Sequence, residues 1–299
     1  LLGQTPPFAD IIQDVAAVET RVYVAAGVSG LRIVDVSTPT RPVEVGALAI
    51  AGFASGVAAF GNYAAVADRQ SGLLIVDVSN PASPTLIGSL ATPGLALDIA
   101  VTSGSSGAGP RLGLLATGEG LVVVGLNDPA NPSVEGFFDS PGFAESVAVA
   151  GSLAYLADGD SGLQIIDFAD PAHPAAVGSI DTPGYAIDVA VAGTESYVAD
   201  GDGGLRIVDV SNPASPALSG VLDTHGFVQT VAWGDGPVYF AESSGGLRVA
   251  NVSNPMTPTD DGFWSAPGYV EGVATKDSFV YLADGDGGLR VIDLSNPAK

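Results

Sequence analysis

The sequence predicts an all-β fold, a seven-bladed β-propeller built from four-stranded antiparallel blades. Three observations support this prediction: a repeat of about 42 residues, the absence of helical periodicity, and a chain that begins and ends in mid-repeat. Hydrophobic residues make up 46% of the chain and charged residues only 14%, a balance typical of a folded protein. The 40 glycines and 21 prolines suit many short strands joined by tight turns.

The repeat is marked by a glycine that precedes a run of branched apolar residues. Nine residues after each glycine stands a proline, which ends the strand. The spacing is 42 residues except for one interval of 48, where a Gly/Ser-rich insertion at 103–110 predicts a surface loop. The marker glycines are Gly30, Gly72, Gly120, Gly162, Gly204, Gly246 and Gly288.

Each repeat predicts four short strands, and the fifth copy shows them best. Its strands are expected at 188–192, 196–200, 205–211 and 217–222. Gly201-Asp202-Gly203 predicts a tight turn between the second and third strands. Four short strands in every 42 residues are typical of a propeller blade.

The two termini predict how the ring closes. The last repeat contains a third strand near 289–295 but no fourth. Leu1-Leu2-Gly3 is similar to Leu86-Ile87-Gly88, which forms a fourth strand inside the chain. We therefore expect the N-terminal strand to complete the last blade, which removes a free sheet edge. The blades of this single domain, 1–299, are predicted near 10–50, 51–92, 93–140, 141–182, 183–224, 225–266, and 267–299 plus 1–6.

The repeat resembles a known family. Gly30-Leu31-Arg32-Ile33-Val34-Asp35, followed by Val-Ser-Thr-Pro, looks like the LVIVD repeat, and the likeness extends over essentially the whole chain. Two copies depart from it, with Gly125 and Asn251 in place of the usual aspartate. The resemblance implies a bacterial or archaeal propeller, secreted or attached to the cell surface, in a family of mostly unassigned function.

Composition argues against several classes of partner. The net charge of −23 would repel nucleic acid and anionic membrane surfaces. No run approaches the roughly 20 apolar residues that span a bilayer. The chain has no cysteine, so the commonest ligand of structural zinc is missing. We expect an acidic monomer that binds neither nucleic acid nor the membrane interior.

Three hairpin turns of the form Asp-Gly-Asp are candidate metal ligands. Calcium prefers six to eight hard oxygen ligands, but each turn supplies only two carboxylates. Aspartate and glycine are also the residues that tight hairpins favour. No other cofactor is predicted, and Ca²⁺ is the alternative. The aspartate pairs are Asp158 and Asp160, Asp200 and Asp202, and Asp284 and Asp286.

A second candidate site lies at the mouth of the central channel. In related propellers the first strand of each blade lines the channel, and the loops before it share one face with the Asp-Gly-Asp hairpins. By this resemblance, loops that read Pro-Gly-aromatic place large side chains at the mouth beside acidic residues. Such a ring suits a sugar, a cation or a basic peptide, although packing between blades is the commoner role of aromatic residues in strands. The ring comprises Phe53, Leu95, Phe143, Tyr185, Phe227 and Tyr269, with Phe8 in the seventh place and Asp14, Asp98, Glu145, Asp188 and Glu271 as acidic neighbours.

Residues that interrupt the repeat are further candidates. His225 replaces a proline at the mouth, where it would pair with Asp188 or Glu271 as acid and base. Arg69-Gln70 replaces a Gly-Asp turn, and Trp233 lies on a channel strand. No nucleophile motif accompanies the histidine, so a polysaccharide hydrolase or lyase is only an alternative.

The recurring aspartates before the Ser-Asn-Pro turns have a structural interpretation. At a fixed offset from the proline, each is placed to accept a backbone N–H and hold the turn. They are Asp35, Asp77, Asp167, Asp209 and Asp293.

The sequence therefore predicts a non-enzymatic extracellular or cell-surface propeller that binds a protein or polysaccharide at its loop face. The alternatives are a calcium- or carbohydrate-binding module, the polysaccharide-degrading enzyme, and an engineered consensus-like scaffold without a ligand.

Overall fold

The computed structural model describes residues 1–102, 111–224, 226–243 and 246–294. These residues form seven four-stranded antiparallel sheets, which confirms the predicted fold class. The first strand of each sheet contacts the first strands of its two neighbours, so the innermost strands form a closed ring around a channel. The insertion at 103–110 and His225 lie outside the described residues.

The first three blades follow the N-terminal strand β1 (Gly3–Gln4). Blade 1 contains β2 (Asp14–Val18), β3 (Arg21–Ala25), β4 (Leu31–Asp35) and β5 (Val43–Leu48). Blade 2 contains β6 (Ala54–Phe60), β7 (Tyr63–Asp68), β8 (Gly72–Asp77) and β9 (Thr85–Leu90). Blade 3 contains β10 (Asp98–Val101), β11 (Leu112–Ala116), β12 (Gly120–Gly125) and β13 (Ser133–Asp139).

The remaining blades repeat this order. Blade 4 contains β14 (Ser146–Ala150), β15 (Leu153–Ala157), β16 (Leu163–Asp167) and β17 (Ala175–Ile180). Blade 5 contains β18 (Asp188–Ala192), β19 (Glu195–Ala199), β20 (Leu205–Asp209) and β21 (Ala217–Leu222). Blade 6 contains β22 (Val228–Trp233), β23 (Pro237–Glu242), β24 (Gly246–Asn251) and β25 (Thr259–Trp264). Blade 7 contains β26 (Gly272–Lys276), β27 (Phe279–Ala283) and β28 (Leu289–Asp293), with β1 as its outer strand.

The hydrophobic core lies between neighbouring blades rather than in one central mass. Each junction has its own cluster of buried side chains; Val15 of blade 1 and Tyr281 of blade 7, for example, belong to the same cluster. The second and third strands of a blade are almost entirely buried, because they face a neighbouring sheet on both sides. The fourth strands are the more exposed, which fits their position at the rim of the molecule.

The N-terminal strand closes the ring as predicted. Gly3 pairs with Val291 and Gln4 with Arg290 in an antiparallel ladder. A Cβ atom on Gly3 would lie 2.2 Å from the carbonyl oxygen of Pro39 in blade 1. Gly178 has the same relation to Pro213 in the interior of the chain, also at 2.2 Å. The similarity of the N-terminus to an internal fourth strand therefore reflects the same close approach between blades.

Candidate functional site

The channel contains a cavity of about 290 Å³ to which every blade contributes residues. Two consecutive positions of the repeat line it. We call the first the mouth position: Gln13, Ser55, Leu97, Glu145, Ile187, Gln229 and Glu271. We call the second the channel ring: Asp14, Gly56, Asp98, Ser146, Asp188, Thr230 and Gly272.

The three aspartates of the channel ring connect neighbouring blades. Asp14 accepts a hydrogen bond from the backbone N–H of Val57 at 2.8 Å. Asp98 accepts one from Val147 at 2.9 Å, and Asp188 one from Val231 at 2.8 Å. Each aspartate belongs to an odd-numbered blade and each donor to the next blade, so the carboxyls join blades 1 and 2, 3 and 4, and 5 and 6.

Ser146 places two of these carboxyls in direct competition for one hydrogen. Its Oγ lies 2.9 Å from Asp98 Oδ2 and 2.7 Å from Asp188 Oδ1. A serine hydroxyl has one hydrogen to donate, so the second contact is a hydrogen bond only when one carboxyl is protonated and acts as the donor. Asp98, Ser146 and Asp188 thus form a network that favours retention of one proton.

Burial acts in the same direction on all three carboxyls. It raises the pKa of Asp98 to about 6, against the hydrogen bond from Val147 and the others that lower it. It raises the pKa of Asp14 well above its usual range, and the negative charge of Asp98 adds to the effect. The pKa of Asp188 is raised for the same reason, removal of the charged form from bulk water.

Two glutamates and one arginine stand at the channel mouth. Burial raises the pKa of both Glu145 and Glu271, and the positive charge of Arg69 partly offsets this in each case. The Tyr185 hydroxyl donates to Glu145 Oε1 at 3.0 Å. The guanidinium of Arg69 lies over the Phe53 ring, 4.7 Å from its centroid. The mouth therefore combines carboxylates, an aromatic surface and a single cationic side chain among the described lining residues.

The aromatic residues predicted for the channel mouth pack between blades. Tyr185 lies over the hairpin of blade 4, where a Cβ on Gly159 would come within 2.9 Å of the aromatic ring. Phe53, Phe143 and Phe227 lie in the same way over the hairpins of their preceding blades. Several of these residues remain exposed on their outer face: Phe143 by 40%, Phe227 by 39% and Tyr269 by 61%. Both interpretations of the aromatic residues therefore describe part of their environment.

The seventh member of the ring is Ile11, not Phe8. Ile12 forms a bridge to Gly285, just as Ala186 does to Gly159, which sets the register of the first blade. Phe8 packs instead against the core between blades 7 and 1. The expectation for Phe8 was wrong because the shared seventh blade shifts the loop by three residues relative to a simple aromatic match.

The Asp-Gly-Asp turns place their two carboxylates in different environments. The first aspartate is fully buried and accepts hydrogen bonds from the loop before its own blade; Asp158, for example, accepts from Ser140 Oγ at 2.6 Å and from the Gly142 N–H at 2.9 Å. Asp200 has a similar set of donors, and Asp284 pairs with Arg290. The second aspartates, Asp160, Asp202 and Asp286, are exposed. Within the described ranges no group of three or more acidic or histidine side chains is arranged to hold a metal ion, and calcium binding stays a prediction.

The other predicted residues have simpler environments. The aspartates before the Ser-Asn-Pro turns accept backbone N–H groups as expected; Asp209 accepts from Ser211 at 2.9 Å, and Asn251 does the same for Ser253 at 3.1 Å. Trp233 stacks on Tyr197 between blades 5 and 6, with ring centroids 5.5 Å apart. His225 is outside the described residues, so its pairing with Asp188 or Glu271 stays a prediction.

Sequence reasoning missed three features of this site. It treated the five acidic residues as one set, whereas the structure places Glu145 and Glu271 at the mouth position and the aspartates in the channel ring. It did not identify Ser146 as a bridge or Arg69 as a channel residue. Alignment of the repeats would have revealed the first two features. It places Glu145 and Glu271 at one position of the repeat, and Ser146 at the next position together with the aspartates.

Seven four-stranded sheets around an axial channel define a β-propeller, and its channel mouth is the candidate ligand site. The LVIVD repeat model matches residues 11–49, 51–92, 141–182, 183–224 and 267–299, which is more than half of the chain. The chain belongs to the LVIVD repeat family. The unmatched blades 3 and 6 are those in which Gly125 and Asn251 replace the aspartate, yet both form four strands.

Solved structures confirm the architecture. The WD40 β-propeller domain of Doa1 matches with a TM-score of 0.78 and 11% identity, over 99% of this chain and 97% of that one. The computationally designed Ika8 protein matches with a TM-score of 0.70 and 10% identity, over 98% of this chain and 99% of that one. No curated protein matches the sequence. At these identities the likeness concerns the fold alone. The described part of the chain has no helix long and apolar enough to cross a membrane.

Proposed function

We propose that this protein is a non-enzymatic binding propeller whose channel mouth receives a cationic group of a protein partner. The observation that carries the proposal is the convergence of five carboxyl groups on one cavity of about 290 Å³, in which Arg69 is the sole cationic side chain among the described lining residues. The carboxyls are those of Asp14, Asp98, Glu145, Asp188 and Glu271.

The charge of the cavity selects against anionic ligands. A cleft lined by one sign of charge concentrates ligands of the opposite sign, and its low-dielectric walls strengthen the effect. The net charge of −23 extends this attraction over the whole surface. A basic side chain is therefore favoured on approach and at the site, whereas an acidic polysaccharide is disfavoured at both stages.

The aromatic rim supports the same ligand class. Phe143, Phe227 and Tyr269 are partly exposed, and each lies two residues before a mouth position that lines the cavity. Cations bind over such ring faces with about 0.5–2 kcal/mol of stabilisation. Arg69 over Phe53 is an internal example of a guanidinium in this position. An arginine or lysine side chain of a partner would meet both a ring face and a carboxylate.

The proposed role has no catalytic step, and the location follows the family resemblance. We place the protein outside the cell or at the cell surface, where a rigid acidic platform would present its loop face to a basic segment of another protein. The proposal rests on binding alone.

Calorimetric titration with a capped hexa-arginine peptide tests the proposal. We expect binding that weakens as salt rises, because the contacts between charges are screened. The double substitution Glu145→Gln and Glu271→Gln should weaken binding by about tenfold or more, equivalent to about 1.4 kcal/mol. A hexa-glutamate peptide should not bind.

The matched control is Asp160→Asn with Asp202→Asn. This control also removes two negative charges from the loop face, but it removes them from exposed turns that do not line the cavity. Equal weakening by both double variants would show general charge attraction without a site, and would contradict the proposal. Absence of binding by the unmodified protein would also contradict it.

A further inference from the structure

Arg69 is an exception to the repeat at a position that faces the channel mouth. The equivalent residue of the hairpin is glycine in five of the seven blades: Gly27, Gly118, Gly159, Gly201 and Gly285. In the next blade, the aromatic ring that would lie over this glycine is replaced by Leu95, which is 47% exposed. Blade 2 therefore lacks the glycine–aromatic pair found at the hairpins of blades 1, 3, 4 and 5, and has a long cationic side chain instead.

The side chain of Arg69 extends into the cavity without an ion-pair partner. It lines the same cavity as Glu145, Glu271 and the channel ring. Its guanidinium carbon lies 4.7 Å from the centroid of Phe53. Its Nε is buried and has no hydrogen-bond partner. No ion pair of the described residues includes it, although most other buried or half-buried arginines of the chain have one.

The charge of Arg69 nevertheless reaches both mouth glutamates. It lowers the pKa of Glu145 and of Glu271, against the effect of burial. Glu145 belongs to blade 4 and Glu271 to blade 7, so each lies two blades from blade 2 around the ring. The guanidinium thus acts electrostatically on both carboxylates, although no ion pair of the described residues joins it to either one.

We propose that Arg69 is a tethered internal cation that competes with the partner's basic group for the channel mouth. This inference rests on the proposed function and names a mechanism that sets the affinity of the same site. A partner's guanidinium or ammonium group must displace the Arg69 side chain from Phe53, or share the carboxylates with it. The affinity for a basic group is therefore lower than the carboxylates alone would give. Partners that offer more than one basic group are favoured, because they compete better with Arg69.

The test is the substitution Arg69→Gln, measured with the same capped hexa-arginine peptide. Glutamine keeps the polar chain but removes the charge, and we expect binding to tighten by about tenfold or more. The matched control is Arg41→Gln, which changes the net charge equally at an exposed turn outside the cavity and should alter affinity much less. Circular dichroism melting of both variants verifies that each remains folded.

The outcomes separate this inference from the proposed function. If the unmodified protein binds, and Arg69→Gln binds equally or more weakly, the competition mechanism is wrong while the proposed function stands. If Arg41→Gln tightens binding as much as Arg69→Gln, the effect is general charge and the mechanism is again wrong. If neither the unmodified protein nor Arg69→Gln binds, both proposals fail.

A measurement without any ligand tests the position of Arg69 independently. In NMR titrations, the pKa values of Glu145 and Glu271 should both rise in Arg69→Gln, by roughly half a unit or more, because a nearby positive charge is lost. Arg41→Gln should leave both values unchanged. Unchanged pKa values in Arg69→Gln would show that the guanidinium does not occupy the mouth, and would overturn the inference.

Discussion

Four buried side-chain polar atoms of the described residues lack a hydrogen-bond partner, and comparison between blades explains two of them. In blade 5, Thr182 Oγ1 donates to Asp200 Oδ1 at 2.5 Å. Blade 2 has the aspartate, Asp68, but Ile50 stands where the hydroxyl should be, and Asp68 Oδ2 has no partner. Blade 3 has the hydroxyl, Thr92, but a threonine in place of the aspartate, and Thr92 Oγ1 has no partner. Blade 2 thus lacks the donor, and blade 3 the acceptor, of the hydroxyl-to-aspartate hydrogen bond that blade 5 forms.

Ile50→Thr should therefore raise the free energy of unfolding, by about 1–2 kcal/mol, because it supplies a donor to a buried charged acceptor. Ile50 is partly buried and packs against the cluster between blades 1 and 2, so the loss of its apolar contacts offsets part of this gain. Denaturant titration measures the change.

Thr182→Val is the reciprocal variant. It should lower the free energy of unfolding by about 1–3 kcal/mol, because it creates in blade 5 the defect that Ile50 causes in blade 2. Changes of the same sign in both variants would show that the hydroxyl-to-aspartate contact does not determine stability at this position.

At the scale of elements, the ring depends on a strand of two residues. β1 pairs with β28, and the side chains beside the ladder add to it: Thr5 Oγ1 accepts the Leu289 N–H at 3.1 Å, and Gln4 Oε1 accepts from Arg290 at 2.6 Å. Without β1, the backbone of β28 would be a free edge that invites pairing with another chain.

Thr5→Val tests this closure without changing side-chain volume. Thr5 is 1% exposed, so the substitution leaves the Leu289 N–H without its side-chain acceptor and should lower the free energy of unfolding by about 1–3 kcal/mol. Thr85→Val, at the exposed start of β9, should change it by less than about 0.5 kcal/mol. Equal stability of the two variants would argue against a role for Thr5 in closure.

At the scale of the whole molecule, the channel carboxyls make stability depend on pH. The pKa of Asp98 in the folded protein is about 6, against an ordinary value of 3.8. A raised pKa favours the protonated folded form, so its stabilisation is complete below about pH 4 and is lost as the pH rises through 6. Asp35, Asp77 and Asp209 act in the opposite direction, because hydrogen bonds from serines lower their pKa values. Their stabilisation is lost below pH 4.

We therefore expect maximum stability near pH 4, with a decline as the pH rises from about 4 to about 6. The contribution of Asp98 to that decline should be about 1–3 kcal/mol. Asp98→Asn should flatten the dependence between about pH 4 and pH 6, and Asp202→Asn in an exposed turn should not. The slope of stability against pH is the quantity to compare, rather than the stability at one pH. Asparagine has one acceptor oxygen in place of two, so Asp98→Asn also loses a hydrogen bond from Ile99 or from Val147. An unchanged slope in Asp98→Asn would contradict the assignment.

The number of blades, the closure of the ring and the role of the turn aspartates could all be predicted from the amino-acid sequence. These features follow from a repeat in which each residue type meets the same neighbours in every copy. A glycine such as Gly3 identifies a fourth strand because only a residue without a side chain fits against the proline carbonyl of the next blade. Local chemistry, repeated seven times, was sufficient for that part of the fold.

The contacts between residues of different blades, in contrast, became visible only in the folded ring. Ser146 bridges Asp98 and Asp188, which are 48 residues before it and 42 residues after it in the chain, because the ring brings three successive blades together at the channel. For the same reason the charge of Arg69 acts on glutamates of blades 4 and 7. The direction of a long side chain depends on the packing around it, here on Phe53, and a pattern within one repeat cannot specify that direction.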